Sequence, residues 1–128
     1  MFEAGLSTTF RASHVMPQVE GPESELHEHN YRIEVTAARH ELDSHGMVCD
    51  LDVLESALTQ TIDPVTGQNL GDIIPHDRAE GVTVEVLAHW SHQEMARRLA
   101  GRGIDVLSVK VWETDHAFGG YTGPCTTE

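Results

Sequence analysis

The chain has 128 residues, a length that suits one domain with a small hydrophobic core. Its formal net charge is −13, with only eight lysine and arginine residues. This charge disfavours nucleic acid and anionic membranes as partners, because both require a basic surface. No apolar stretch reaches the roughly 20 residues of a membrane helix, and the N-terminus lacks a secretory-signal pattern. We therefore expect one cytoplasmic domain over residues 1–128.

Two residue types carry the chemical signals in the composition. Nine residues are histidines, and histidine is both the commonest metal ligand and the usual acid–base group near neutral pH. Cys49 and Cys125 are too few for a disulfide framework. We expect both cysteines to be reduced thiols.

The first part of the chain has the residue pattern of two β-strands. Residues 2–15 are compatible with an extended conformation, which would place Phe10, Ala12 and His14 on one face. A glycine and a proline within residues 19–25 predict a loop. Residues 27–37 alternate with period two, which predicts a strand whose shared face carries His27, His29, Tyr31, Ile33 and Val35.

The middle of the chain predicts a helix followed by a long loop. Asp52 and Glu55 resemble the capping box of a helix start. The helix behind them has apolar residues at helical spacing, namely Leu51, Leu54 and Leu58. Residues 63–81 are rich in proline, glycine, asparagine and aspartate. They predict a long loop, and such loops within compact domains are often functional.

The last part of the chain predicts a second helix and a final strand. Residues 83–100 carry an apolar stripe at helical spacing, and a glycine-containing segment ends the helix. Residues 105–112 have the pattern of a buried strand and precede a glycine-rich end. The order of elements indicates an α+β fold, an antiparallel sheet with two helices on one face. So small a sheet leaves open edges, which assembly into a homo-oligomer would close.

Three histidines on the two predicted strands form the strongest chemical signal. His27 and His29 are two residues apart, so they project from the same face of one strand. His14 lies on the corresponding face of the preceding strand. If the strands pair, the imidazoles converge, and three protein nitrogens with one open position are typical of a catalytic zinc site. The alternative reading of the spacing is a group of surface histidines.

Five sequence blocks resemble, in order, the family of 6-pyruvoyl-tetrahydropterin synthase and 6-carboxytetrahydropterin synthase. The blocks lie within residues 8–121 and are TTFRASHVMP, LHEHNYRIEV, HGMVCDLDVL, VTVEVLAHW and VKVWET. The resemblance implies Zn²⁺ on His14, His27 and His29. It also implies the tunnelling fold (T-fold), in which subunits join their sheets into a barrel and assemble as trimers or hexamers around small-molecule sites.

The same resemblance implies that a pterin is held by Thr83, Glu85 and Glu113. A carboxylate suits this task, because it can accept two parallel N–H bonds from the amino-pyrimidine edge of a pterin. The alternatives are a surface role for Glu113 and, for Glu85, a favourable interaction with a helix dipole in the first turn.

The chain departs from the family pattern at two catalytic positions. The family's general base is a cysteine four residues before the first histidine of its H-G-H motif, and Glu23 stands at that position here. The glutamate resembles a subset of the family that cleaves the dihydroneopterin side chain to leave a 6-hydroxymethyl group. Asp63 matches the aspartate of the family's Asp–His pair, but a proline follows it. His116 and His76 are the candidates to replace the missing histidine.

Three functions are compatible with these residues. The first is a zinc-dependent lyase or synthase acting on a dihydroneopterin-type pterin, with catalytic candidates Glu23, Asp63 and His116. The second is a divergent family enzyme acting on a non-pterin small molecule, and the third is a non-catalytic binding protein. The scarcity of basic residues favours a substrate without phosphates. Four other histidines are expected on polar surfaces, namely His40, His45, His89 and His92.

Overall fold

The computed structural model describes residues 1–127 and contains a four-stranded antiparallel sheet with two helices. The strands follow the order β1-β2-β3-β4 in the sheet. Two short 3-10 helices lie at Pro22–Ser24 and Leu70–Asp72. The main elements are β1 (Phe2–His14), β2 (His27–Arg39), α1 (Leu51–Ile62), α2 (Val84–Leu99), β3 (Val106–Trp112) and β4 (Phe118–Pro124). The predicted α+β architecture is confirmed.

The alternation of side chains along the central strands decides which face of the sheet is buried. On β2, Ile33 and Val35 are fully buried, and on β3 the same holds for Val109 and Val111. α2 packs on β3 and β4, and α1 packs on α2 and β1. The helices therefore cover the face on which β1 and β2 also carry their histidines.

The start of α1 differs from the prediction. Asp50 is the N-cap residue, and its Oδ1 accepts a hydrogen bond from the backbone N–H of Asp52 at 2.8 Å. The capping box predicted for Asp52 and Glu55 is therefore wrong, since both lie inside the helix. Leu51 is 50% exposed, so only Leu54 and Leu58 of the three predicted leucines belong to the core.

The glycine-rich end of the chain forms β4, a strand that the sequence pattern did not predict. β4 pairs with β3 along its whole length. Gly119 allows the first turn of α2 to approach, because a Cβ there would lie 2.6 Å from Val84 Cγ2.

His92 of α2 is buried against Tyr121 of β4, with ring centroids 4.7 Å apart. The prediction of a polar surface position for His92 is therefore wrong.

The long loop after α1 covers the end of β1. The backbone N–H of Gly67 donates to the carbonyl of Arg11, and that of Ser13 donates to the carbonyl of Gln68 at 2.9 Å. A parallel bridge joins Ser13 to Asn69. The loop thus lies beside His14.

Two further expectations concern the thiols and the membrane. Cys49 and Cys125 are both free and buried, and burial raises the pKa of each thiol. In the described part of the chain, no helix is long and apolar enough to cross a membrane.

Candidate metal centre and active site

Strands β1 and β2 bring three histidines together at one end of the sheet. His14 stands opposite His27 in the strand register, and His29 stands opposite Ala12. The candidate ligand nitrogens of His14, His27 and His29 all lie within 4.8 Å of one another. The predicted convergence of the three side chains is thus present in the structure.

Hydrogen bonds to main-chain carbonyls select the nitrogen that each of two rings presents to the others. His14 Nδ1 lies 2.8 Å from the carbonyl oxygen of Val82, and His27 Nδ1 lies 2.8 Å from that of Glu25. Because a carbonyl can only accept, Nδ1 carries the proton in both rings and Nε2 keeps its lone pair. Metal-binding histidines usually donate the N–H of their other ring nitrogen to a carbonyl or carboxylate in this way.

The Nε2 atom of His14 is the sharpest indication of a metal-binding site. It is buried and has no hydrogen-bond partner among the described residues. An unpaired buried polar atom costs free energy, so such an atom calls for an explanation. A metal ion between the three Nε2 atoms would supply the partner, and three imidazoles suit zinc. The residues therefore fit the ion that the sequence predicted.

The surroundings of His14 lower its pKa and so favour the neutral form of the ring. Burial lowers the pKa of His14, and the neighbouring His27 and His29 lower it further, against the opposing effects of the Val82 bond and Glu113. The ring is therefore neutral near pH 7, as a metal ligand must be.

The ring of Tyr31 packs against that of His29 at a tilt, with ring centroids 5.4 Å apart. Burial first, and then Glu113, raise the pKa of Tyr31, which keeps the phenol neutral.

Glu113 places a carboxylate at the same cluster. It follows the last residue of β3, and Oε1 lies 3.5 Å from His29 Nε2 and 3.8 Å from His14 Nε2. The side chain is 35% exposed, so one side of the carboxylate faces solvent. The structure therefore puts this predicted substrate-binding residue within reach of a ligand held at the histidines.

The other two predicted substrate-binding residues lie at the start of α2. Thr83 is the N-cap residue, and its Oγ1 accepts a hydrogen bond from the backbone N–H of Val86 at 3.1 Å. Glu85 is exposed in the first turn, as its alternative role beside the helix dipole requires. Val82, which binds His14, directly precedes Thr83. The start of α2 is thereby fixed to the histidine cluster.

The three predicted catalytic residues lie on exposed segments. Glu23 belongs to the 3-10 helix Pro22–Ser24, Asp63 ends α1, and His116 lies in the turn between β3 and β4. Within residues 1–127, no hydrogen bond or ion pair joins these side chains to the three histidines. Their catalytic roles stay predictions.

His76 lies closer to the cluster than the sequence indicated. It lines a cavity of about 330 Å³ together with His14, Asn69, Asp72 and Arg78. Its Nδ1 lies 2.7 Å from the carbonyl oxygen of Ile74, which leaves Nε2 as the second functional nitrogen. The sequence named His76 as a candidate for the missing histidine, but not its place beside His14.

This chain is a T-fold protein, because it has an antiparallel sheet with helices on one face. The three histidines that converge at one end of the sheet form a candidate metal centre. The sequence profile described as 6-pyruvoyl tetrahydropterin synthase matches residues 5–124. The chain belongs to the 6-pyruvoyl tetrahydropterin synthase family, a family of lyase-type enzymes of pterin metabolism.

Several solved structures share the fold at low sequence identity. The 6-pyruvoyl tetrahydropterin synthase of Caenorhabditis elegans is 21% identical, with a TM-score of 0.74 and 95% of each chain covered. That of Plasmodium falciparum is 13% identical, with a TM-score of 0.73 over 95% of this chain and 98% of the other. An uncharacterised protein of Wolinella succinogenes is 16% identical, with a TM-score of 0.71 over 94% and 97%. A comparison with curated protein sequences finds no match.

Proposed function

We propose that this protein is a zinc-dependent lyase or synthase that acts on a dihydroneopterin-type pterin. The observation that carries the proposal is the buried, unpartnered Nε2 of His14, which lies with the ligand atoms of His27 and His29 within 4.8 Å. Membership of the family supports a pterin-related substrate. The product is a 6-carboxy- or 6-pyruvoyl-tetrahydropterin, or the 6-hydroxymethyl compound left by retro-aldol cleavage.

Each group of residues has a separate task in this proposal. Bound zinc would polarise a hydroxyl or carbonyl oxygen of the substrate side chain and stabilise negative charge that develops there. The carboxylate of Glu113 holds the amino-pyrimidine edge of the heterocycle. Thr83 and Glu85 complete the binding site from the start of α2, which the Val82–His14 hydrogen bond ties to the metal centre.

Glu23 is the proposed proton-transfer group. Its backbone carbonyl accepts a hydrogen bond from Met16 N–H at 2.9 Å, which holds its 3-10 helix near the end of β1. His27 begins β2 four residues later. A Plasmodium vivax 6-pyruvoyltetrahydropterin synthase, 13% identical, has been solved with a glutamate catalytic residue replaced by alanine. A glutamate is thus a catalytic residue in one member of the family, which supports the same role for Glu23.

A homo-oligomer, a trimer or hexamer, completes the site in this proposal. β1 and β4 are the outer strands of the sheet, so each has one edge to offer to another chain. Among residues 1–127, no hydrogen bond or ion pair joins Asp63 or His116 to the histidines of their own chain, and both are exposed. Assembly edge to edge would allow them to reach the metal centre of a neighbouring chain. We place the assembly in the cytoplasm.

A non-pterin small molecule is the second candidate substrate. The observation that favours it is the cavity beside His14, which the long loop lines with His76 and Arg78. The same cavity makes His76 a second candidate for the histidine that the family pattern lacks. A substrate whose polar end enters this cavity would not need the shape of a pterin.

Product analysis tests the proposed function. The zinc-loaded protein is incubated with dihydroneopterin triphosphate and, separately, with dihydroneopterin, and the products are identified by mass spectrometry. Loss of triphosphate with all side-chain carbons retained indicates 6-pyruvoyl formation. Loss of triphosphate together with a two-carbon fragment, leaving a 6-carboxyl group, indicates 6-carboxy formation. Loss of a two-carbon fragment that leaves a 6-hydroxymethyl group indicates retro-aldol cleavage. Glu23→Gln, which keeps the size of the side chain, should lower turnover about 100-fold or more. No product from either compound would refute the pterin proposal.

A further inference from the structure

We propose that the Glu113 carboxylate occupies the fourth coordination position of the metal when no substrate is bound, and leaves it when substrate enters. This inference rests on the metal centre of the proposed function and not on the identity of the substrate. It gives Glu113 a task in the free protein, in addition to its proposed contact with the heterocycle.

The distance from Glu113 to His29 is that expected between two ligands of one ion, and the distance to His14 is slightly longer. Zinc binds imidazole nitrogen and carboxylate oxygen at about 2.0–2.2 Å in tetrahedral geometry, which separates two ligand atoms by about 3.3–3.6 Å. Glu113 Oε1 lies 3.5 Å from His29 Nε2 and 3.8 Å from His14 Nε2. A direct N–H···O hydrogen bond has a typical distance of about 2.7–3.2 Å. The carboxylate is therefore spaced for coordination rather than for hydrogen bonding to either ring.

At His14 the carboxylate also approaches the correct nitrogen. Nδ1 of this ring is held by the carbonyl of Val82, so Nε2 is the atom left to bind an ion. A metal-bound Nε2 has no hydrogen to donate. Glu113 is consequently not an outer-shell partner of His14, because outer-shell carboxylates bind the ring nitrogen that faces away from the metal.

Charge favours the same conclusion. Among residues 1–127, no lysine or arginine forms an ion pair with Glu113, whose ion-pair contacts are to His14 and His29. A carboxylate beside imidazole nitrogens that can bind a dication gains more from that ion than from water. With one exposed side and a position just beyond the end of β3, the side chain has room to turn away from the ion. Substrate hydroxyls and the carboxylate would then exchange at one coordination position.

Metal affinity provides the first test. Zinc and cobalt(II) are titrated into metal-free wild type, Glu113→Gln and Glu113→Ala against a competing chelator. We expect both variants to bind the metals at least about 10-fold more weakly, because a direct ligand should contribute no less than the outer partners of metal ligands, whose loss costs about 10- to 100-fold. Glu28→Gln is the matched control. It removes one charge from the strand of His27 and His29, but Glu28 is exposed and pairs with Arg11. The control should bind as wild type does.

Access to the fourth position provides the second test. Azide is titrated into the cobalt(II) proteins, and the visible absorption bands are followed. Azide should bind Glu113→Ala at least about tenfold more tightly than wild type, because water is more easily displaced than a carboxylate. Equal metal affinity and equal azide binding in wild type and Glu113→Ala would overturn the inference. A wild type that binds no zinc at all would overturn the proposed function as well, so the two failures are distinguishable.

Discussion

Replacing His14 and replacing His27 should affect the metal-free protein differently, although each substitution removes one proposed ligand. His14 is 1% exposed, and its loss leaves the Val82 carbonyl without a partner and a cavity in the core. These two effects cost about 2–5 kcal/mol. Removal of the unpaired Nε2 offsets part of that loss. We therefore expect His14→Ala to lower the free energy of unfolding by about 2–3 kcal/mol.

His27→Ala should cost less than about 1 kcal/mol, because the Glu25 carbonyl that it leaves is exposed and can bind water. The assay is urea unfolding of the metal-free proteins, repeated with zinc. At a free zinc concentration about 1,000 times the dissociation constant, binding stabilises the wild type by about 4 kcal/mol. Zinc should stabilise neither variant by a comparable amount. Equal losses in the metal-free proteins, or full zinc stabilisation of His27→Ala, would refute the reasoning.

Three further predictions concern acid sensitivity and packing. The folded-state pKa of His14 lies below the ordinary histidine value of 6.5, so its contribution to stability is complete above pH 6.5 and is lost as the pH falls toward the folded value. The difference in unfolding free energy between metal-free wild type and His14→Gln should therefore shrink between about pH 7.5 and 5, and a constant difference would contradict this. Gly119→Ala should destabilise by about 1–3 kcal/mol in thermal unfolding, because the new Cβ would meet Val84 Cγ2 at 2.6 Å, and an unchanged midpoint would contradict this. Asp50→Ala should lower stability by about 1 kcal/mol through loss of the α1 cap, and an effect no larger than that of Asp52→Ala would contradict the assignment.

The histidine cluster could be predicted from the sequence because strand alternation is a local property. His27 and His29 share a face by spacing alone, and pairing of adjacent strands then brings His14 opposite His27. The register itself follows from the need to bury one face of both strands. Strand patterns likewise predicted β3, and apolar residues at helical spacing predicted both helices.

Other features depend on contacts that no local pattern contains. β4 is rich in glycine, which disfavours strands, and its place is set by pairing with β3 and by the approach of α2 to Gly119. His92 is polar and yet buried, because Tyr121 of β4 covers it. The position of His76 follows from the path of the long loop. Glu23, Asp63 and His116 are exposed and make no hydrogen bond or ion pair to the three histidines within residues 1–127, so spacing alone could only nominate them.

The 3.5 and 3.8 Å distances from Glu113 to two ring nitrogens also could not be read from the sequence. The family resemblance predicted that Glu113 binds the heterocycle. Its position after a buried strand placed it near a strand end but gave no distance to the histidines. The sheet register places the end of β3 beside the first part of β2, where Trp112 stands opposite Arg32. The start of β2 in turn pairs with the end of β1. That register carries the carboxylate to the histidines.

The most direct test of the metal centre as the site of reaction is a titration of metal-free protein with zinc while pterin product is measured. Product formation should be absent without metal, rise linearly with added zinc, and stop rising at one zinc per chain. The His27→Ala/His29→Ala variant should stay inactive throughout. Turnover by the metal-free wild type, or zinc-dependent turnover by that variant, would contradict the assignment of the site.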